Sequence, residues 1–314
     1  MKHLILGHAS DPHGQHILAQ LRQRGHEAHL LETHKFPSEI QLSLSPADGG
    51  GGSLSLPDGA TMRFDEIASV FWRNFCGVSS ETSKATRGTV EDISYYDSMA
   101  SLRSWFQARN QTRWFNSWEA YQSHQEKPRQ LQLVAQAGVR IPRTYIGNDA
   151  ARVQAFCREE PQAIFKPVYG GAHTERITDQ HLDGAHLARA LARAPITLQQ
   201  YIDGTNIRTY AIGAQMFSLE LESEDIDFRT DQGLNIKTIE LPAEQRLQVP
   251  KIMELLSLNW TAIDWRRDSE GQYHFLEANP SPMFMGIEKA TGYPLTETLI
   301  DAMVGNGSRI QRAA

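Results

Sequence analysis

The sequence predicts an α/β protein, with a doubly wound α/β domain first and an α+β region after it. Two observations carry this. The opening residues read strand, polar loop, helix, strand, and the last third alternates strands before an acidic hairpin. His3–Leu6 is an apolar run, and Gly7–Gly14 is a polar loop. Ile17, Leu18 and Leu21 recur at helical spacing. Gly25 stands where a helix-ending C′ glycine belongs, and Ala28–Glu32 supplies the second strand. A β-loop-α-β opening of this kind fits a doubly wound domain.

Ile40–Leu44 and Ser53–Leu56 flank Asp48–Gly52, a loop or hairpin tip. Val70–Arg73 is a further strand with Arg73 at its end. From Thr89 to Arg109 the pattern is helical, and the stripe Ile93, Tyr96, Met99, Leu102, Phe106 reads as core packing. Trp114–Ser117 opens a new unit, so the first domain is placed at 1–115. A single helix is expected over Trp118–Ala137, with Lys127 in its middle. Gly138–Tyr145 is a turn entering a strand. Helix Asp149–Arg158, strand Ala163–Lys166, helix His181–Ala194 and strand Thr197–Tyr201 follow. These make a central unit, 116–198. The third unit, 199–304, alternates strands Asn206–Gly213, Gln215–Glu222 and Asn235–Leu241. Helix Ala243–Leu256, the hairpin around Asp264, and helix Ile287–Val304, interrupted at Gly292–Tyr293–Pro294, complete it. Residues 305–314 form a tail.

Of 314 residues, 40% are hydrophobic and 22% charged, the balance of an ordinary globular protein. The net charge of −6 argues against general nucleic-acid binding, which shows as a basic surplus. Cys76 and Cys157 are far apart and in no metal-like spacing, which fits a reducing, cytoplasmic setting. Met1–Gly7 is too short an apolar run for a signal peptide. No run approaches the ~18 apolar residues of a membrane span. Seven histidines between His3 and His34 fit no ligand spacing, so no metal site is expected there.

The chemistry concentrates near the C-terminus. Asp264, Glu277 and Asn279 are hard oxygen donors of the kind Mg²⁺ selects. Glu277 and Asn279 are two apart and so share a strand face. A hairpin turning at Asp268–Gly271 brings Asp264 beside them. A polar strand end running into a Pro-rich turn is the plain alternative. Lys166 ends a strand before Pro167 and the glycines Gly170 and Gly171. There its ammonium could meet a phosphate, or simply be solvated. Lys127 reads equally as a surface lysine. The backbone of Gln199, Gln200, Tyr201, Ile202 and Asp203 could offer paired donors and acceptors to an adenine edge. Arg208 lies two residues after Asn206, and Arg229 sits in the polar loop Asp227–Thr230. Paired arginines suit phosphate or carboxylate oxygens, or surface salt bridges. Arg73, at a strand end, is a candidate holder of a substrate carboxylate or, equally, a surface arginine.

Together these residues resemble the ATP-grasp superfamily, in its RimK-like branch of carboxylate–amine ligases. The motifs are Glu277–Ala278–Asn279–Pro280–Ser281–Pro282, Gly286–Ile287–Glu288–Lys289, Thr291–Gly292–Tyr293–Pro294–Leu295, Pro142–Arg143–Thr144 and Phe165–Lys166–Pro167. The resemblance covers residues 115–304 well and the N-terminal domain more loosely. Asn116 through Lys127 to Thr144, with His34–Lys35–Phe36–Pro37, further resembles the microviridin-type maturases of ribosomal peptides.

The resemblance implies a two-lobed ATP-grasp fold using ATP and Mg²⁺, with two ions and Mn²⁺ as a substitute. Lys127 and Lys166 would bind phosphates, and Gln199, Tyr201 and Ile202 would form the adenine hinge. Asn206 would hold the ribose, Arg208 and Arg229 phosphate and acyl phosphate, and Asp264, Glu277 and Asn279 the metal. Two departures stand out. Asn206 replaces a carboxylate, and the loop after Lys166 lacks a third glycine, leaving His173 or Thr174 to reach the γ-phosphate. The implied reaction joins a carboxylate, activated as its acyl phosphate, to an amine or hydroxyl. The expected substrate is a peptide or protein such as a ribosomal precursor, and a homo-oligomer is a candidate assembly. The alternatives are a glutathione-synthetase-like ligase of small amino acids or dipeptides, a small-molecule kinase on the same fold, and a non-catalytic nucleotide-binding module.

Overall fold

The computed structural model describes residues 1–49, 51–79, 88–108, 111–169, 173–223 and 233–305. Its N-terminal part runs β1 (Lys2–Leu6), α1 (Pro12–Gln23), β2 (Glu27–Leu31), β3 (Gln41–Ser45), β4 (Gly51–Ser55), β5 (Thr61–Arg63), β6 (Ile67–Trp72), α2 (Val90–Phe106) and β7 (Arg113–Phe115). β1, β2, β6 and β7 form a parallel sheet in the order β2-β1-β6-β7. Side chains alternate across it. Leu4, Leu6, Val70 and Trp72 pack with Met99, Leu102, Trp105 and Phe106 of α2. Ile5, Phe71 and Phe115 pack with Ile17, Leu18 and Leu21 of α1. Both faces are therefore covered, as a parallel sheet requires. Asp11 starts α1 by accepting the Gly14 amide at 2.7 Å, with Pro12 at the first helical position.

Three details differ from the sequence expectation. β5 is an added strand, closing a small antiparallel sheet β3-β4-β5. β7 pairs with β6, so residues 113–115 complete the first sheet. Only part of the α2 stripe is buried: Ile93 and Tyr96 are exposed, and Met99, Leu102 and Phe106 make the core.

The middle of the chain runs α3 (Trp118–Gln125), α4 (Lys127–Gln136), β8 (Thr144–Gly147), α5 (Ala150–Glu159), β9 (Ile164–Pro167), β10 (Glu175–Arg176), α6 (Asp179–Leu182), α7 (Gly184–Leu191) and β11 (Ile196–Gln199). Its strands form the antiparallel sheet β10-β9-β11-β8. Two expected helices are split. Trp118–Ala137 breaks at Glu126, because Pro128 has no N–H to donate and its ring would clash with the carbonyl four residues back. The break moves Pro128 into a first turn, and Lys127 opens α4 rather than lying mid-helix. His181–Ala194 breaks at Asp183, whose carboxylate caps α7 through the His186 amide at 2.9 Å.

The last part runs β12 (Gly204–Ile212), β13 (Gln215–Glu222), β14 (Asn235–Ile239), α8 (Ala243–Leu255), β15 (Trp260–Asp268), β16 (Tyr273–Asn279), α9 (Met285–Thr291) and α10 (Leu295–Val304). The sheet is antiparallel, in the order β14-β13-β12-β15-β16. Gly292, at φ +72°, ends α9 in the left-handed region that Gly tolerates. α10 then returns to the first sheet. Leu295, Leu299, Ile300 and Met303 share one core with Ile5 and Phe71 and with Tyr210, Leu219 and Trp260 of the last sheet. Gly170, Gly171, the loop carrying Arg229 and the tail after Gly305 lie outside the described residues.

One buried side chain ties the chain segments together. Asn116 is 1% exposed. Its Nδ2 donates to the carbonyls of Trp260 at 2.8 Å and Pro280 at 2.7 Å, and its Oδ1 accepts from the amides of Asn259 at 2.6 Å and Trp260 at 3.2 Å. Asn116→Ala would strand these backbone groups. Each unpaired buried group costs about 1–3 kcal/mol, so a loss of about 3 kcal/mol or more is expected in urea unfolding. A change within ~0.5 kcal/mol would contradict this account.

Candidate active site

Register across the last sheet builds the site. Arg208 on β12 is the cross-strand partner of Asp264 on β15, and Asp264 is the partner of Glu277 on β16. Directly opposed residues share a face, so the three side chains form a row. The register shifts beyond Asp264, where Trp265 pairs with Phe275 and Leu276 is the extra residue. This bulge lets Phe275 enter the core, fully buried, while Glu277 stays on the face of Asp264. Asn279, two residues on and paired with Ala262, falls on that face too. Its Oδ1 accepts from the Ser281 amide at 2.9 Å, which orients the side chain.

Cations flank the carboxylates at both ends of the row. Arg208 holds Asp264 in a fork, Nε to Oδ1 at 2.7 Å and Nη2 to Oδ2 at 2.8 Å. Lys127 donates to Glu277 Oε2 at 2.7 Å. Burial pushes the Glu277 carboxyl up, but Lys127, His124 and Lys166 together outweigh it and hold the group down at about 2. For Arg208, burial works against the charge, and the Asp264 carboxylate more than restores it. Lys166 on β9 is thus within electrostatic reach of Glu277 from a different sheet. Its Nζ donates to Gln199 Oε1 at 3.2 Å, and the other end of that buried amide donates to Thr144 Oγ1 at 3.0 Å. Gln199 serves as a holder of Lys166.

The adenine-hinge candidates are partly engaged. The Gln200 amide donates to the Arg143 carbonyl at 2.8 Å, and the Ile202 carbonyl accepts from Arg266 Nε at 2.9 Å. Tyr201 presents its ring to two guanidinium groups, Arg176 at 4.3 Å and Arg266 at 5.6 Å. Asp203 is exposed. Asn206 is buried, and its Nδ2 has no hydrogen-bond partner among the described residues. A donor left so costs about 1–3 kcal/mol unless an outside oxygen accepts it. Arg229 lies outside the described residues.

Arg73 does not stand open for a substrate carboxylate. Its Nε donates to both oxygens of Asp11 at 3.1 Å, and its Nη1 to the Ser281 carbonyl at 2.5 Å and Oγ at 2.7 Å. It is a strut between the first sheet and the Pro280–Pro282 turn. Sequence reasoning missed His124, whose ring bonds the Ala278 carbonyl through Nδ1 at 3.1 Å. Burial pushes His124 down, and Glu277 beside it pushes back up. Its place three residues before Lys127 was the available signal.

Asp264, Glu277 and Asn279 offer oxygen donors only, on one face, with Glu277 held ionised. That donor set suits Mg²⁺.

Residues 124–303 match the model of the RimK-like ATP-grasp domain, and residues 2–122 match that of the MvdD pre-ATP grasp domain. A probable alpha-L-glutamate ligase of Alkalilimnicola ehrlichii is 26% identical over 189 residues, 55% of this chain and 61% of that protein. The matched region thus spans under two thirds of that relative's length. A probable alpha-L-glutamate ligase of Teredinibacter turnerae is 24% identical over 297 residues, 90% of this chain and 88% of that protein. Among solved structures, the ATP-grasp ligase PsnB complexed with a minimal precursor superposes with a TM-score of 0.82 at 28% identity, over 96% of this chain and 98% of the other. PsnB with a phosphomimetic variant of minimal precursor, Mg and ADP gives a TM-score of 0.80 at 27% identity, over 98% of each chain.

The Glu277 geometry sets a pH dependence. A carboxyl held below its unfolded value stabilises the fold above that value and loses the contribution as pH falls. The window runs from the ordinary 4.5 down to about 2. Urea unfolding of the parent chain and Glu277→Gln at about pH 7 and about pH 3 should show a stability gap that narrows in acid. An unchanged gap would mean that Glu277 is not held ionised by its cations.

Proposed function

Because the chain belongs to the RimK-like ATP-grasp family, we propose that it is an ADP-forming carboxylate–amine ligase acting on a peptide or protein. The observation that carries this is the row Arg208–Asp264–Glu277–Lys127, with Lys166 reaching it from the middle sheet. Two carboxylates with Arg208 and Lys127 against them, and Lys166 reaching in from another sheet, suit a polyphosphate and its metal. They serve no evident packing purpose.

In this reading a substrate carboxylate oxygen attacks the γ-phosphorus. The bond to ADP breaks and an acyl phosphate forms. An amine or hydroxyl then attacks the acyl carbon, phosphate leaves, and the nucleophile's proton is lost. Asp264, Glu277 and Asn279 would hold Mg²⁺, two ions with Mn²⁺ able to substitute, which when bound neutralises phosphate charge. Lys166, kept in place by Gln199, and Lys127 would bind phosphate oxygens. Arg208 would fix the Asp264 carboxylate and, with Arg229, steady the transferring group. Asn206 Nδ2 would gain the ribose oxygen that it lacks as an acceptor. Gln200, Tyr201, Ile202 and Asp203 would frame the adenine. The same reading divides the chain at 1–115, 116–198 and 199–304.

PsnB, similar over nearly the whole chain, was solved with its precursor, which supports a peptide as substrate. The relatives named as glutamate ligases favour a second reading, in which a free α-amino acid is the amine.

ADP release measured with acidic Lys/Ser/Thr-bearing peptides, and separately with free glutamate, distinguishes the two. The ligase product should weigh one water less than its parts. A gain of phosphate would instead mark a kinase. Glu277→Ala should lower ADP release about 10²-fold or more, as for removal of a main electrostatic stabiliser. Full turnover in that variant would overturn the metal assignment.

A further inference from the structure

The first sheet gathers residues that their sequence spacing keeps apart. β1 and β2 are parallel neighbours in register, Leu6 opposite Leu31, so the segments leaving their C-terminal ends emerge side by side. His8 leaves β1. Glu32 follows β2 directly, and His34 sits in the short 3₁₀ turn Thr33–Lys35. One ligand atom from each of His8, Glu32 and His34 lies within 4.8 Å of the others. The two imidazoles stack at 5.1 Å with 29° between their planes. For two of the seven histidines, scatter along the sequence is thus no guide to their spacing in the fold. Linear spacing does not report on parallel strand ends.

We propose that His8, Glu32 and His34 bind a nitrogen-preferring divalent ion of the Zn²⁺ class, at a site separate from the oxygen donors of the last sheet. Imidazole nitrogens with one carboxylate suit zinc and its neighbours, whereas magnesium prefers oxygen alone. His8 and Glu32 are positioned from outside the trio. Ser10 contacts His8 Nδ1 twice, its amide donating at 3.1 Å and its Oγ lying 2.6 Å away, which fixes the ring beside Glu32 and His34. The Ala9 amide donates to Glu32 Oε1 at 2.9 Å, and Lys35 Nζ sits 2.5 Å from Oε2. The second, independent observation is His34 Nδ1, closed off from solvent with no hydrogen-bond partner among the described residues. A buried ring nitrogen without a partner is costly, and an ion bound there would satisfy it.

Lys35 is the competitor. Its ammonium is the cation that Glu32 holds here, and a metal would displace it. Three protein ligands leave a coordination position open for a further donor. The place is apt, since doubly wound domains take ligands at the carboxyl ends of their strands. This inference does not rest on the ligase reading.

The test uses the full chain without a purification tag, stripped of metal and returned to buffer with Mg²⁺ in excess. Titration with Zn²⁺, and with Co²⁺ as a visible-absorbance probe, should show about one equivalent bound at a site of low coordination number. His8→Ala and His34→Ala should each weaken binding about tenfold or more, with Glu277→Ala unchanged. Lys35→Met should tighten it, because the competing ammonium is gone while every ligand remains. Thermal unfolding checks that the variants fold. If the histidine variants do not, Lys35→Met decides alone. No Co²⁺ band in the parent chain, equal binding in folded histidine variants, loss of binding in Glu277→Ala, or no tightening in Lys35→Met overturns the proposal.

Discussion

Two carboxylates placed opposite one another on adjacent strands repel, and burial raises the penalty. Asp264 and Glu277 are such a pair. Relief comes from cations at the two ends of the pair. Arg208 arrives from β12 on one side and Lys127 from α4 on the other. This requirement constrains much of the architecture. β12 must lie beside β15, β16 must be at the edge, and a helix must cross that edge with a lysine at its start. The concentrated negative charge is what the flanking cations balance.

Lys127 stays in place because the open edge of β16 is closed by side chains rather than by a strand. Gln130 Oε1 accepts from the Ala278 amide at 2.9 Å, and its Nε2 donates to the Ala278 carbonyl at 3.1 Å. The side-chain amide thus makes the pair of bonds a neighbouring strand would make. His124 bonds the same carbonyl, and the Arg140 carbonyl takes the Phe275 amide at 2.8 Å. An edge so covered cannot recruit another chain. Just beyond it, Asn116 and Arg73 grip the Pro280–Pro282 turn from the linker and from the first sheet. The acidic hairpin is therefore fixed at its edge and at its exit.

Local pattern carried the elements whose causes are local. The strand, helix and strand of the opening residues, the glycine at 292 and the hairpin that pairs Asp264 with Glu277 were all legible. Pro128 marks the break before α4 within the run from Trp118 to Ala137. What the sequence could not show depends on register between distant strands. Arg73 reads as an open strand-end arginine until Asp11 and Ser281 are seen to take its donors. His8 and His34 look scattered until parallel pairing aligns the ends of β1 and β2. Asn206 shows only in the fold that its amide is left without an acceptor.

The packing also separates the two lysines that face Glu277. Ala120, Leu131, Val134 and Val139, from α3, α4 and the turn after them, share a core with Ile207, Val249, Ile263 and Phe275, so Lys127 rides on the last sheet. The strands and helices around Lys166 have a core of their own, built from Val153, Phe156, Leu187, Leu191 and Leu198. The first and last sheets, by contrast, are joined through α10. One ammonium therefore belongs to the body that carries the carboxylates, and the other to a body packed on itself. A group of high negative charge bound between them would be held by both. The Gln199 amide that orients Lys166 lies within that same body, so the lysine keeps its aim however the two bodies sit.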